Sequence, residues 1–262
     1  MLIGPNILAH RFPKTASTWL KRELEAAGLI TGELEPGQPT HRGLWSAEEH
    51  IPGRLVLGGI RDPWTWHLSY YHHHLMRDGT PGSRLTEWWP DFGGLPEGLL
   101  IHPKIVAAML IQKHADPVGA CSLDLDWLPR DWAWALPPDD EPPRRWMAER
   151  GCGLMTWAYV RAYYPRRCWG WSVGELLERP SQRYPVWFIH KRSAAARVQH
   201  AIQERGLSGY VVNPTPTNDS ATRNAPAKRW SGVVRDYLSQ ELIDLVGERE
   251  RLVVELHGYA AP

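Results

Sequence analysis

His10-Arg11-Phe12-Pro13-Lys14-Thr15-Ala16-Ser17-Thr18-Trp19-Leu20 follows a short apolar run, Ile7-Leu8-Ala9, and leads into a segment whose Leu20, Leu24 and Ala27 share one helical face before Gly28. The order is strand, loop, helix over 18–27. Backbone N–H groups at a helix N-terminus have no intrahelical acceptor and carry the positive end of the helix dipole. Adding the Lys14 charge and the Thr15, Ser17 and Thr18 hydroxyls makes this loop a cradle for an anionic group.

Working outward, Leu55-Val56-Leu57-Gly58-Gly59-Ile60 reads as a second buried strand, and Arg61-Asp62-Pro63 turns it into a helix that starts near Pro63. Val186-Trp187-Phe188-Ile189 reads as a third strand, followed by an Ala-rich helix over 193–205 that ends at Gly206. The segment 31–53, rich in Gly, Pro and Glu, has no clear period and is expected to be irregular. Further helices are expected over 103–114, 154–164 and 233–257, with a Pro- and Trp-rich loop or lid over 127–146 and another loop over 213–227.

Repeated strand-to-helix alternation predicts a three-layer α/β sandwich with a short central parallel sheet and a helical or irregular insert over roughly 80–180. The 262 residues fit one domain spanning 1–262. With 30 basic and 29 acidic residues the net charge is +1, so no global field argues for nucleic acid and any anion site must be local. Three widely spaced cysteines, Cys121, Cys152 and Cys168, suit free thiols in a reducing compartment. The N-terminus lacks a basic n-region and no window is apolar enough to span a membrane, which leads to the expectation of a soluble cytoplasmic protein.

Lys14 and Arg61 both close strand-to-helix junctions, so both belong at the carboxyl edge of the sheet, where open α/β sheets bind ligands. Ser69 falls about two turns into the second helix. A planar guanidinium fork with a hydroxyl suits a terminal phosphate, and the first loop suits a second anion. The Gly-rich G-x-x-x-x-G-K-[ST] loop of nucleotide kinases is absent, since only Pro13 stands before Lys14.

Pro13-Lys14-Thr15-Ala16-Ser17-Thr18 resembles the 5′-phosphosulfate loop of sulfotransferases that use 3′-phosphoadenylyl sulfate (PAPS). Arg61-Asp62-Pro63 through Ser69-Tyr70-Tyr71, beginning 47 positions after Lys14, resembles their 3′-phosphate motif. Asn213-Pro214 to Asn218-Asp219-Ser220, with the helix ending His257-Gly258-Tyr259, looks like the tail of carbohydrate sulfotransferases. The likeness covers the chain except roughly 80–180. The wording Lys-Thr-Ala-Ser-Thr is most similar to Golgi-type glycan 2-O- and galactose sulfotransferases, from which this chain is expected to depart by lacking their membrane anchor.

The resemblance implies a P-loop-like sulfotransferase fold and transfer of a sulfuryl group from PAPS to an acceptor hydroxyl, with 3′-phosphoadenosine 5′-phosphate (PAP) as product and no metal. The acceptor implied is a glycan or glycoconjugate first, a small hydroxylated molecule second. Lys14 would meet the oxygen bridging phosphate and sulfate. Thr15, Ala16, Ser17 and Thr18 would hold the 5′-phosphate, with Arg11 before them. Arg61 and Ser69 would hold the 3′-phosphate, and Arg223, Lys228 or Arg229 would close over it.

A base must take the acceptor proton in line with the departing phosphate. His41, between the two motifs as in many relatives, is the first candidate; Glu33 and Glu35, and His10 beside the loop, are its rivals. The consecutive His72, His73 and His74 point about 100° apart on a helix and do not converge on a metal. Fifteen tryptophans against three phenylalanines leave Trp88, Trp89, Trp132 and Trp134 as a possible stacking platform for an acceptor. Two other functions compete: a P-loop phosphotransferase or kinase, and a non-catalytic nucleotide- or glycan-binding module.

Overall fold

The structure, a computed structural model, describes residues 1–13, 15–34, 42–75, 143–190, 193–207, 209–212, 234–236 and 238–262. The expected helix over 103–114, the lid up to residue 142, the loop over 213–227, Cys121 and the four named tryptophans lie outside the described residues. The chain divides into two compact units, each assembled from separate stretches.

The first unit carries a five-stranded sheet: β1 (Leu2–Ile3), β2 (Ile7–His10), β3 (Gly32–Glu33), β4 (Leu55–Ile60) and β5 (Val186–His190), in the order β3-β1-β2-β4-β5. The core β2-β4-β5 is parallel, with Ala9 opposite Leu57 and Leu57 opposite Trp187. These are the three strands expected from sequence, and every residue of β2 and β4 is buried, which is why both read as apolar runs without alternation. The sheet is nonetheless mixed. β1 runs antiparallel to both β2 and β3, so part of the segment expected to be irregular adds an edge strand.

Helix α1 (Ser17–Ala26) and a later helix supply one face of the sheet. Trp19, Leu20 and Leu24 pack with Ile7, Ala9, Leu55, Leu57 and Ile189, joined by Val198, Ala201 and Ile202. The opposite face alternates in register, and there Gly58 and Phe188 meet Tyr163. A Cβ on Gly58 would lie 2.9 Å from the Tyr163 ring, so the ring packs there only because the strand carries a glycine.

After β4 the chain enters the second unit through helix α2 (Pro63–Leu75), with Asp62 as its cap: Thr65 N–H donates to Asp62 Oδ1 at 2.9 Å and Pro63 occupies the first helical position. Helices α3 (Pro143–Arg150) and α4 (Leu154–Tyr163) follow, the last residues of α4 belonging to the first unit. Next come a short α5 (Val173–Glu178), begun by a Ser172/Glu175 capping box, and α6 (Ala194–Glu204), which ends before Gly206 at φ +57°.

The single helix expected over 233–257 is broken. It is a 3₁₀ turn (Val234–Asp236), α7 (Gln240–Arg249) and α8 (Arg251–His257), with Glu250 between the last two at φ −101°, ψ 22°. The cause is long-range. Glu250 is 1% exposed, and its carboxylate accepts the N–H groups of Met155 (3.0 Å) and Thr156 (2.6 Å) and contacts His67 Nε2 at 2.8 Å. It thereby caps α4 from across the unit, close against Gly153, where a Cβ would lie 2.3 Å from Glu250 Oε1. Trp64 Nε1 donates to the Ile243 carbonyl at 2.8 Å and ties α2 to α7. Among the described residues no helix is long and apolar enough to cross a membrane.

Candidate functional site

The carboxyl ends of β2 and β4 lie side by side, His10 opposite Gly58, and Thr15 of the following loop lies over β4. Its seat is Gly59. A Cβ at that position would lie 2.2 Å from Thr15 Oγ1, so the absence of a side chain lets the loop rest on the strand. Thr15, 4% exposed, donates its hydroxyl to the Phe12 carbonyl at 2.7 Å and closes the turn. Its oxygen is thus a structural clamp, and the loop's ligand-facing capacity lies in backbone donors and in Ser17 and Thr18.

Ala16 sits at φ 62°, ψ 29°, the left-handed region, and is the only described non-glycine residue with positive φ. That conformation costs an alanine roughly 1–2 kcal/mol. Its effect is to swing the chain into α1 with no side-chain cap. The first helical bond is Leu20 N–H to the Ala16 carbonyl at 3.0 Å. The N–H groups of Ser17, Thr18 and Trp19 therefore have no acceptor among the described residues. A left-handed turn followed by successive N–H groups without acceptors among the described residues is a concavity suited to an oxyanion.

Arg61 follows the last residue of β4 and is 4% exposed. The adjacent Asp62 is occupied as the cap of α2. Arg11 turns aside: its Nη1 lies 3.3 Å from Glu33 Oε1, and Lys21 Nζ lies 3.0 Å from the same oxygen. The Lys21 hydrogen bond, reinforced by both cations, holds the Glu33 carboxyl below its usual range. A carboxylate so stabilised is a weak base, and here it ties β3 to α1.

His10 is fully buried, with Nδ1 3.2 Å from the Tyr163 hydroxyl, which itself donates to the Gly59 carbonyl at 2.9 Å. Because the Tyr163 proton is committed to Gly59, the arrangement requires Nδ1–H on His10. Burial pushes the Tyr163 phenol well above its usual value, so it stays a donor. His10 and Tyr163 thus brace, from the opposite face, the strand on which the loop sits.

Ser69 lies on α2 in the second unit, half-buried. Lys14, His41, Glu35, Arg223, Lys228 and Arg229 lie outside the described residues. The structure brings together Thr15, Ala16, Ser17 and Thr18 with the end of β4 that carries Arg61. Arg11 and Glu33 join each other instead.

One residue went unremarked in the sequence. His190 ends β5 opposite Ile60, at the same carboxyl edge, and burial together with the Arg197 charge lowers its pKa. It stands at the third strand-to-helix junction, so the position alone was a signal. The buried Cys152 and Cys168 are free thiols, both pushed up by burial and chemically quiet.

Comparison of the chain with protein-family models, with curated proteins and with solved structures returned no match.

Proposed function

We propose that the protein is a PAPS-dependent sulfotransferase with a P-loop-like fold, transferring a sulfuryl group to a hydroxyl of a glycan or small molecule. The observation that carries this reading is the left-handed turn at Ala16. Seated on Gly59 and leaving the Ser17, Thr18 and Trp19 N–H groups without acceptors among the described residues, it suits an oxyanion cradle at the carboxyl edge of the parallel β2-β4-β5 core. The sequence adds Lys14 within the cradle and Arg61 at the end of the adjacent strand.

In this reading the loop holds the 5′-phosphate and Lys14 stabilises the charge that grows on the bridging oxygen as the sulfur–oxygen bond breaks. The acceptor oxygen forms the new bond to sulfur, a base takes its proton, and PAP departs with the electron pair. Arg61 and, by resemblance, Ser69 hold the 3′-phosphate. His41 remains the proposed base with Glu35 as its rival, because Glu33 is held in its ion pairs and His10 is buried behind the strand. Arg223, Lys228 or Arg229 supplies the closing cation.

The test is transfer of radiolabelled sulfate from PAPS across a panel of glycans, phenols and alcohols. Label appearing in an acceptor, and lost with Lys14→Ala, supports the reading. Label in none, under conditions where PAP binds, leaves the binding-module alternative instead.

A further inference from the structure

The first unit also holds a cavity of about 630 Å³ at the amino ends of β4 and β5, the edge opposite the anion cradle. Leu55 and Val56 open β4 there, and the six residues of that strand, rising about 3.3 Å each, separate the two edges by roughly 16 Å. The volume falls in the range that small-molecule sites occupy.

Its walls combine two kinds of side chain. Tyr184, Trp187 and Pro185 supply flat apolar surface, and Arg54, Arg183 and Arg205 supply three guanidinium groups. Among the described residues no Asp or Glu lines the cavity, and none of the three arginines has a carboxylate partner.

Two of the arginines are fixed. Arg54 donates from Nε to the Gly4 carbonyl at 3.2 Å and from Nη1 to the His50 carbonyl at 3.0 Å. Arg183 donates to the Tyr159 hydroxyl at 2.5 Å and lies 4.5 Å over the Phe188 ring. These contacts hold the cations without neutralising them, because every partner is a neutral oxygen or a ring face. Arg205, exposed at the end of α6, is free to turn inward.

The Tyr184 hydroxyl donates to Glu48, which is not among the lining residues, so Tyr184 offers the cavity its ring. Three uncompensated cations around one concavity repel each other, and an anion entering it relieves that repulsion. The ring surfaces add dispersion and stacking for a flat body.

We propose that this cavity binds a small aromatic anion, a planar ring bearing a phosphate, sulfate or carboxylate. The guanidinium groups of Arg54, Arg183 and Arg205 receive the charged group and the Trp187 and Tyr184 rings receive the planar part. This site is independent of the sulfuryl-transfer reading, since it shares no residue with the cradle.

The experiment is calorimetric titration of the full chain with phenyl phosphate, with inorganic phosphate and phenol as separate controls. The expected result is one saturable site for phenyl phosphate with Kd below about 1 mM, and weaker binding of either control. Arg205→Glu, an exposed change that leaves the core untouched, should weaken phenyl phosphate about tenfold or more, the scale of one charge-assisted hydrogen bond. Arg54→Gln should do likewise. Saturating PAP should not displace the ligand. No saturable binding, binding indifferent to both substitutions, or one-for-one displacement by PAP would each overturn the proposal.

Discussion

Gly59 and Thr15 are in such close apposition that a methyl group on the glycine would lie 2.2 Å from the threonine hydroxyl oxygen. The loop that carries Ala16 is therefore held at its height above β4 by the absence of a side chain. Gly59→Ala should lift the loop, lower the unfolding midpoint by an amount equivalent to about 1–3 kcal/mol, and weaken PAP binding about tenfold or more while far-UV circular dichroism is preserved. Unchanged PAP affinity in the folded variant would show that loop height does not matter.

Ala16→Gly tests the strain at the same turn from the other side. Glycine occupies the left-handed region without the steric cost alanine meets there at φ 62°, so the substitution should leave stability unchanged or raise it by up to about 1 kcal/mol. The same turn in the same place predicts PAP affinity within about threefold of wild type. Ala16→Val should lower both, because a β-branched residue resists positive φ.

The role given to Lys14 predicts that Lys14→Ala loses at least about a hundredfold in turnover, the scale of one electrostatic stabiliser of a developing negative charge. His41→Ala should keep PAP affinity and lose turnover, whereas Arg61→Ala should weaken PAP binding first. Steady-state rates and calorimetry on the three variants separate these outcomes. Wild-type turnover in Lys14→Ala removes the reading of that lysine.

Glu33→Gln should retain turnover and lose acid-sensitive stability. The Glu33 carboxyl titrates below its ordinary 4.5 in the folded state, so its ionised form contributes stability at neutral pH that fades as pH falls through the lowered value. The difference in thermal midpoint between wild type and Glu33→Gln should be present at pH 7 and fade as pH falls through the lowered value. Loss of turnover without loss of PAP binding in this variant would transfer the base assignment from His41 to Glu33.

In the second unit, Glu250→Ala removes the acceptor of Met155 N–H and Thr156 N–H and the partner of His67 in one step. All of these groups are buried, so the expected loss is about 3 kcal/mol or more, read as a lower urea midpoint. Gly153→Ala should be destabilising for the reciprocal reason, since its methyl group would strike Glu250 Oε1. A Glu250→Ala variant as stable as wild type would contradict the account of the break between α7 and α8.

The parts of the fold legible in the sequence are those whose cause is local. β2 and β4 read as apolar runs because they are covered on both faces, α2 begins at Asp62-Pro63, and α1 and α6 end before glycines that favour those boundaries. β1 and β3 were illegible: two residues each are too few to show a period, and they are held by pairings such as Leu2 with Glu33. The break at Glu250 was illegible because Val246, Leu252 and Val253 continue the apolar pattern through it, while its cause sits at residues 153–156.

The site divides the same way. Residue types between Pro13 and Thr18 announced an anion cradle, but a left-handed alanine contradicts local preference and showed only in three dimensions. Arg11 and Glu33 looked like separate functional candidates because their pairing spans 22 residues. Arg54, Arg183 and Arg205 come from three separate stretches of the chain, and nothing in a linear reading gathers them.

The central claim is that the cradle at Ala16 and the arginine ending β4 accept a nucleotide with phosphates at both 5′ and 3′ positions. Isothermal titration of the full chain with PAP, against ATP and adenosine 5′-phosphate, tests it without knowledge of the acceptor. The account predicts one site for PAP, with Kd in the micromolar range or below, and binding of either control weaker by about a hundredfold, the worth of the missing 3′-phosphate. ATP binding as tight as PAP, or no binding of PAP at all, would contradict it.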